Sequence, residues 1–80
     1  MALYFMHLRG GGDEIRDPEG TRFADLDTLR ASVLAAARDL MRESLRNGVL
    51  DFRFRIDAED EAGAVVYSLP FRHAVNVIPG

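Results

Sequence analysis

Apolar and polar positions follow short periods at both ends of the chain and a helical period in the middle. Residues 3–8 read LYFMHL, an aromatic and apolar run that stops at three consecutive glycines, 10–12. A run of this kind that ends in a glycine turn predicts a β-strand. Residues 13–17 can return as a short second strand before the turn at 18–20, where proline fixes φ and glycine tolerates a positive φ. The pattern therefore predicts an N-terminal hairpin.

The middle of the chain predicts one amphipathic helix. Apolar residues within 26–45 are spaced three or four apart, which places them on one helix face. Asp25 or Asp27 can accept hydrogen bonds from the first-turn amides, and Asn47-Gly48 favours a helix stop. Arg30 falls in the apolar sector, where it must extend to solvent or pair with a carboxylate, of which Asp27 is the nearest.

A second hairpin is predicted after the helix. Residues 52–58 alternate between apolar and charged, the period of a strand with one buried face. The acidic stretch 59–63 suits a hairpin loop, and residues 65–69 return as the next strand. Pro70 cannot donate to a sheet ladder, so this strand ends there or lies at an edge. Residues 71–78 are expected to form a tail packed on the body.

Together these elements predict an α+β, two-layer ββαββ domain: a four-stranded antiparallel sheet with one amphipathic helix across one face. The predicted core consists of Tyr4, Met6, Leu8, Leu29, Val33, Leu40, Phe52, Phe54, Ile56, Val65, Tyr67 and Leu69. The opposite sheet face would carry Leu3, Phe5, His7, Arg53, Arg55, Val66 and Ser68. Its outer strands are more apolar than a fully solvated face usually is.

Length and composition indicate the number of domains and the cellular compartment. Eighty residues fit a single domain, 1–80, near the lower limit for burying a sufficient core. The chain has no cysteine, so disulfides cannot supplement that core, and oligomerisation becomes a serious candidate. The short N-terminal apolar run lacks the pattern of a signal peptide, and no apolar run is long enough to cross a bilayer. We expect a soluble, cytoplasmic protein with no membrane partner.

Charge disfavours nucleic acid as a partner. The net charge is −3, whereas non-specific nucleic-acid affinity requires clustered cations. Arg53 and Arg55, joined by Arg72 and His73, could form a small cationic patch for an acidic partner or RNA. Pairing with the many carboxylates across the strands is the favoured role.

The residue pattern specifies no catalytic, metal or cofactor site. His7 and His73 are the only histidines; they lack a ligand spacing, and a solvent-facing strand histidine and a tail histidine are expected. The acidic stretch lacks the ligand pattern of a calcium loop. The glycines at 10–12 precede two acidic residues instead of a helix, unlike a phosphate loop. The serines and threonines show no nucleophile motif, so we expect a non-enzyme without cofactor.

Several short motifs are similar to those of a family of very short bacterial proteins known only as a domain of unknown function. The motifs are Tyr4-Phe5-x-His7-Leu8, Asp17-x-Glu19-Gly20, Asp25-Leu26, Ala36-Ala37-Arg38-Asp39-Leu40, Asp60-Glu61-x-Gly63 and Leu69-Pro70-Phe71. The resemblance covers nearly the whole chain and implies no activity or site residue. A more distant, topological likeness is to HicB-type antitoxins, which also begin with a glycine-turned hairpin followed by an Asp-Leu entry into a helix.

These observations favour a non-enzymatic interaction or accessory domain that associates with itself, as a homodimer, or with a small protein. The candidate interaction surface is the second sheet face or a sheet edge, with Leu3, Phe5, His7, Arg53, Arg55 and Val66. The alternatives are an antitoxin-like inhibitor of a partner protein and a small-ligand-binding protein. A ligand pocket would have to lie between sheet and helix, where bulky aromatic residues are expected to fill the space.

Overall fold

The computed structural model describes residues 1–80 and contains five strands, one long helix and one short 3₁₀-helix. The elements are β1 (Ala2–Gly10), β2 (Asp13–Ile15), β3 (Thr21–Phe23), α1 (Leu26–Arg46), β4 (Arg55–Glu59), β5 (Val65–Pro70) and the 3₁₀-helix Phe71–His73. The prediction of an α+β fold with one helix and an antiparallel sheet is confirmed. The four-stranded ββαββ arrangement is corrected to five strands, because β3 pairs with β1 before the helix begins. No helix combines the length and apolar character that crossing a membrane requires.

The sheet is built around β1 and β4. Its order is β2-β1-β4-β5, and β3 pairs with the start of β1 while β2 pairs with its end. All pairings are antiparallel, with Phe5 opposite Glu59 and Asp57 opposite Ser68. β2 and β3 contain three residues each. They leave an interval in the middle of β1 that neither covers.

Helix α1 begins and ends where its sequence predicts. The Asp25 carboxylate accepts a hydrogen bond from the Thr28 N–H at 2.7 Å, and Asn47 is the C-cap. Arg30 pairs with Asp27 at 3.4 Å and also lies over the Tyr67 ring, 5.8 Å from its centroid. The arginine thus keeps its charge at the surface while its stem covers the edge of the core.

The core lies between α1 and the sheet. Of the predicted core, Leu29, Val33, Ile56 and Leu69 are buried, and Tyr4, Met6, Leu8, Phe54 and Tyr67 pack against them partly buried. The prediction is wrong for Leu40, Phe52 and Val65, which are 40%, 37% and 52% exposed. The buried hydrophobic residues not included in the prediction are Phe23, Ala37, Met41, Ala58, Phe71 and Ala74. The C-terminal tail therefore contributes Phe71 and Ala74 to the core, whereas Val77 and Ile78 remain exposed.

The segment before β4 is a turn, although its alternating pattern predicts a strand. The Asp51 carboxylate accepts hydrogen bonds from the Arg53 N–H at 2.9 Å and from its guanidinium at 2.8 Å. A carboxylate that binds the backbone two residues on favours a turn over an extended strand. The backbone here also lies against Gly10, where a Cβ would fall 2.6 Å from the Phe54 Cα. Phe52 consequently points away from the core, and β4 begins only at Arg55.

Candidate functional site

The sheet face opposite α1, called the second face below, carries a continuous network of charged and polar side chains. Its members come from four strands and the turn after β2: His7, Arg9, Glu14, Arg16, Arg55, Asp57, Glu59 and Ser68. The three arginines balance the three carboxylates. The network is therefore neutral as a whole when the histidine is neutral.

Arg9 is the centre of the network. Its Nε donates to Glu14 at 2.7 Å, Nη1 to Asp57 at 3.0 Å and Nη2 to Glu59 at 2.7 Å. These hydrogen bonds, led by the one to Glu14, raise the pKa of Arg9 above its ordinary value. The planar guanidinium can satisfy three carboxylates at once because its donors point outward in one plane. Arg9 thus links β1, β2 and β4 across the face.

Asp57 is the most deeply placed carboxylate of the network, with a side chain only 6% exposed. It accepts hydrogen bonds from the Ser68 hydroxyl at 2.6 Å, from Arg9 at 3.0 Å and from Arg55 at 3.1 Å. Burial acts to raise the pKa of Asp57, but the hydrogen bonds from Ser68 and Arg9 outweigh it and hold that pKa below its ordinary value. The carboxylate is ionised and fully occupied as an acceptor.

His7 lies at the base of the network and is only 2% exposed, so the expectation of a solvent-facing histidine is wrong. The backbone N–H of Asp17 donates to its Nδ1 at 3.0 Å. A neutral ring must then carry its proton on Nε2, which lies 3.4 Å from Oε1 of Glu59 and can donate to it. The hydrogen bond from Arg9, aided by Coulomb attraction to its charge, lowers the pKa of Glu59. Both ring nitrogens are thus engaged within the domain.

Asp17 fills the interval in the middle of β1. Its carboxylate accepts the Met6 N–H at 3.2 Å, the Gly20 N–H at 3.1 Å and the Glu19 N–H at 3.3 Å. Burial acts to raise the pKa of Asp17, yet these backbone hydrogen bonds lower it overall. The Asp17 side chain takes the place of a neighbouring strand there. It accepts the hydrogen bond of the Met6 amide, which lies between the β1 residues paired with β2 and those paired with β3. This edge of β1 is therefore covered by β2, Asp17 and β3 in turn.

A cleft of about 440 Å³ opens between the turn after β2 and the tip of the second hairpin. It is lined by Phe5, His7, Arg16, Asp17, Pro18, Glu59, Asp60, Glu61 and Gly63. The inner polar groups, His7, Asp17 and Glu59, are held by the hydrogen bonds described above. No three histidine or acidic side chains of the chain converge as metal ligands.

The residues of the predicted interaction surface do not form one apolar patch. Leu3 and Phe5 are half-buried, and His7 is buried. Arg53 pairs with Asp51 at 2.8 Å and Arg55 with Asp57 at 3.1 Å. Each arginine therefore binds a carboxylate two residues away along its own segment, and a strand pairing across the sheet is not used. Of the set, only Val66 is an exposed apolar residue, at 36%.

The buried network of Arg9, Asp57 and Glu59 was missed in the sequence interpretation. A signal for it exists, because the period of two places Arg9 on the same face as His7, and Asp57 and Glu59 face them from β4. Alternating charges on a strand are usually solvated, and this makes the signal easy to discount. Here Arg9 and Arg55 bind the carboxylates of Asp57 and Glu59, which are buried.

The outer edge of β5 is a second feature of interest, because its backbone groups are unpaired. This strand pairs only with β4, and its six residues, Val65–Pro70, include no charged side chain. A bulge shifts the register between Ala58 and Glu59, so that Val66 has no partner on β4. Val65 and Val66 are exposed beside this edge. The outer edges of β2 and β3 are also unpaired, but those strands contain three residues each, so β5 has the longest open edge of the sheet.

Acid is expected to weaken the domain through the network. Glu14, Asp57 and Glu59 all have pKa values below their ordinary ones. A carboxyl group whose pKa is lower in the folded state stabilises the fold above its unfolded pKa, and that contribution is lost as the pH falls through the folded value. We expect urea midpoints to be level between about pH 7 and 5 and to fall below about pH 4. Equal midpoints at about pH 6 and 3 would contradict this reading of the network.

Comparison with known proteins gives a family and nothing more specific. No curated protein and no solved structure matches the chain, and no finding supports the likeness to HicB-type antitoxins. One family profile, described as a domain of unknown function, matches residues 3–72, which include the whole of α1 and every strand apart from the first residue of β1. The resemblance to a family of proteins of unknown function is thereby confirmed. The chain belongs to the family described as "Domain of unknown function (DUF6894)".

Proposed function

We propose that this domain is a non-enzymatic interaction module that forms a homodimer through the outer edge of β5. The observation that carries the proposal is the difference between the two sides of the sheet. The β1 side is covered by β2, β3 and the Asp17 carboxylate. The β5 side is unpaired, uncharged and flanked by the exposed Val65 and Val66. Charged residues commonly protect an edge strand from pairing, and β5 has none.

The state of the polar groups supports binding over catalysis. A general base needs a nitrogen or carboxylate oxygen that is free to reach a substrate. Both nitrogens of His7 and the carboxylate oxygens of Asp57 are already engaged within the domain. The second face therefore serves as a rigid support for the sheet, and the edge serves as its contact surface.

Sedimentation velocity tests this proposal directly. The native chain is expected to shift from monomer to dimer as its concentration rises through the micromolar range. Val66→Lys places a charge at the open edge and is expected to yield a monomer, because an edge lysine opposes strand pairing. Val49→Lys is the matched control, since Val49 is exposed in the segment after α1 and its substitution is expected to leave the dimer intact. A native chain that stays monomeric at several hundred micromolar would refute the proposal.

A further inference from the structure

We infer that the occupant of the β5 edge is a second copy in antiparallel orientation, held at each end by an ion pair between Glu61 of one copy and Arg72 of the other. This inference rests on the proposed function, and it specifies the partner, its direction and the residues that select that direction. Three features of β5 support it: the charges at its two ends, the spacing of those charges and its free backbone groups.

Opposite charges flank the two ends of the strand. Asp60 and Glu61 precede β5, and Arg72 and His73 follow it, while the strand itself carries no charge. Glu61 and Arg72 are both exposed and form no ion pair within the domain. Two other arginines of this half of the sheet do form pairs: Arg53 with Asp51, and Arg55 with Asp57. Glu61 and Arg72 thus leave an unpaired charge of opposite sign at each end of the open strand, whereas the unpaired Arg22 and Glu19 lie on the β1 side of the sheet.

The spacing of these charges fits a two-fold axis. Glu61 lies six residues before Tyr67 and Arg72 lies five residues after it. A two-fold axis near Tyr67 and perpendicular to the sheet runs the two β5 strands in opposite directions, which places the acidic end of each copy beside the basic end of the other. A parallel arrangement would place like charges together at both ends. Charge complementarity thus selects the antiparallel direction.

The backbone of β5 supplies the hydrogen bonds for such a pair. The Phe71 N–H donates to the Phe54 carbonyl at 3.0 Å. Because an antiparallel ladder alternates, Leu69 and Tyr67 also face β4, and the N–H and C=O of Ser68 face the open edge. Val66 has no partner on β4. A second β5 strand running in the opposite direction can take up the free N–H and C=O of Ser68, next to Tyr67.

The shape of β5 also limits the assembly to two copies. The bulge beside Val66 bends one end, and Pro70 has no N–H to donate at the other. Only a short central stretch can therefore pair regularly. An isologous contact of this kind uses the edge of both copies and leaves no β5 edge for a third.

Charge reversal tests the pairing of Glu61 with Arg72. Glu61→Arg and Arg72→Glu are each expected to raise the dimer Kd roughly tenfold at low salt, because each creates two like-charged contacts. The double variant Glu61→Arg with Arg72→Glu restores both pairs and is expected to return the Kd to near the native value. Glu19→Arg makes the same charge change in the turn on the β1 side and is the control, with an unchanged Kd expected.

Engineered cysteines test the direction, since the chain has none of its own. A mixture of the Glu61→Cys and Arg72→Cys variants is expected to form a disulfide-linked heterodimer under mild oxidation, while each variant alone does not cross-link. Cross-linking of Glu61→Cys with itself would overturn the antiparallel direction. If the native chain forms a dimer but the charge reversals leave its Kd unchanged, this inference is refuted and the proposed function is not. A monomeric native chain would refute both.

Discussion

Replacing Asp57 with alanine is expected to destabilise the domain by about 2–3 kcal/mol and to lower Tm by roughly 10 °C or more. The carboxylate is held by Ser68, Arg9 and Arg55, and its removal leaves the donors of a nearly buried network without their acceptor. Removing one partner of a buried ion pair typically costs about 3–5 kcal/mol. We place the expected loss lower because Arg55 is half-exposed, and water can replace part of what it loses. Urea unfolding followed by circular dichroism gives the measurement.

The matched control for this prediction is Asp39→Ala. Asp39 pairs with Arg42 on the solvent side of α1, at 3.1 Å, with both side chains largely exposed. Exposed pairs of this kind contribute about 0.5 kcal/mol or less, because water screens them and long side chains lose entropy in forming them. If Asp57→Ala cost no more than Asp39→Ala, the network would be an ordinary solvated surface and not a structural support for the sheet.

Local signals in the sequence were sufficient for the elements whose stability is itself local. The helix limits follow from the apolar spacing, the Asp25 cap and the Asn47 stop, all of which act within one or two turns. Both hairpin turns follow from glycine and acidic residues. These predictions hold because neighbouring residues supply the relevant forces.

The errors in the fold arise where distant contacts decide the outcome. β3 is a strand because it pairs with the start of β1, a contact between segments with no strong β pattern in β3 itself. Residues 52–54 alternate as a strand would, but the Asp51 turn and the close approach of Gly10 exclude them from the sheet. The Asp51 turn is local, but no window of sequence around either segment contains the pairing with β1 or the approach of Gly10.

For the candidate site, too, the sequence predicts what depends on neighbouring residues and not what depends on distant contacts. The sequence placed His7 on the second face correctly by its period but could not show that Asp17, from a turn ten residues away, donates to its ring and closes over it. It also placed Val66 on a candidate interaction surface, and the structure leaves that residue exposed beside an unpaired edge. Which surface is free depends on how the turn and the arginines cover the second face, and this is a property of the assembled fold.

Replacing Leu29 with alanine is expected to destabilise the domain by about 3–4 kcal/mol, the usual cost of removing a fully buried leucine and leaving a cavity. Leu29 is 0% exposed at the contact between α1 and the sheet. Leu40→Ala is the matched control: it was predicted to be core, yet it is 40% exposed, because the buried line of α1 runs through every fourth residue from Leu29 to Met41 and leaves Leu40 beside it. We expect Leu40→Ala to cost about 1 kcal/mol or less. Urea midpoints of the two variants measure the difference, and equal losses would show that the end of α1 packs as the sequence pattern alone predicts.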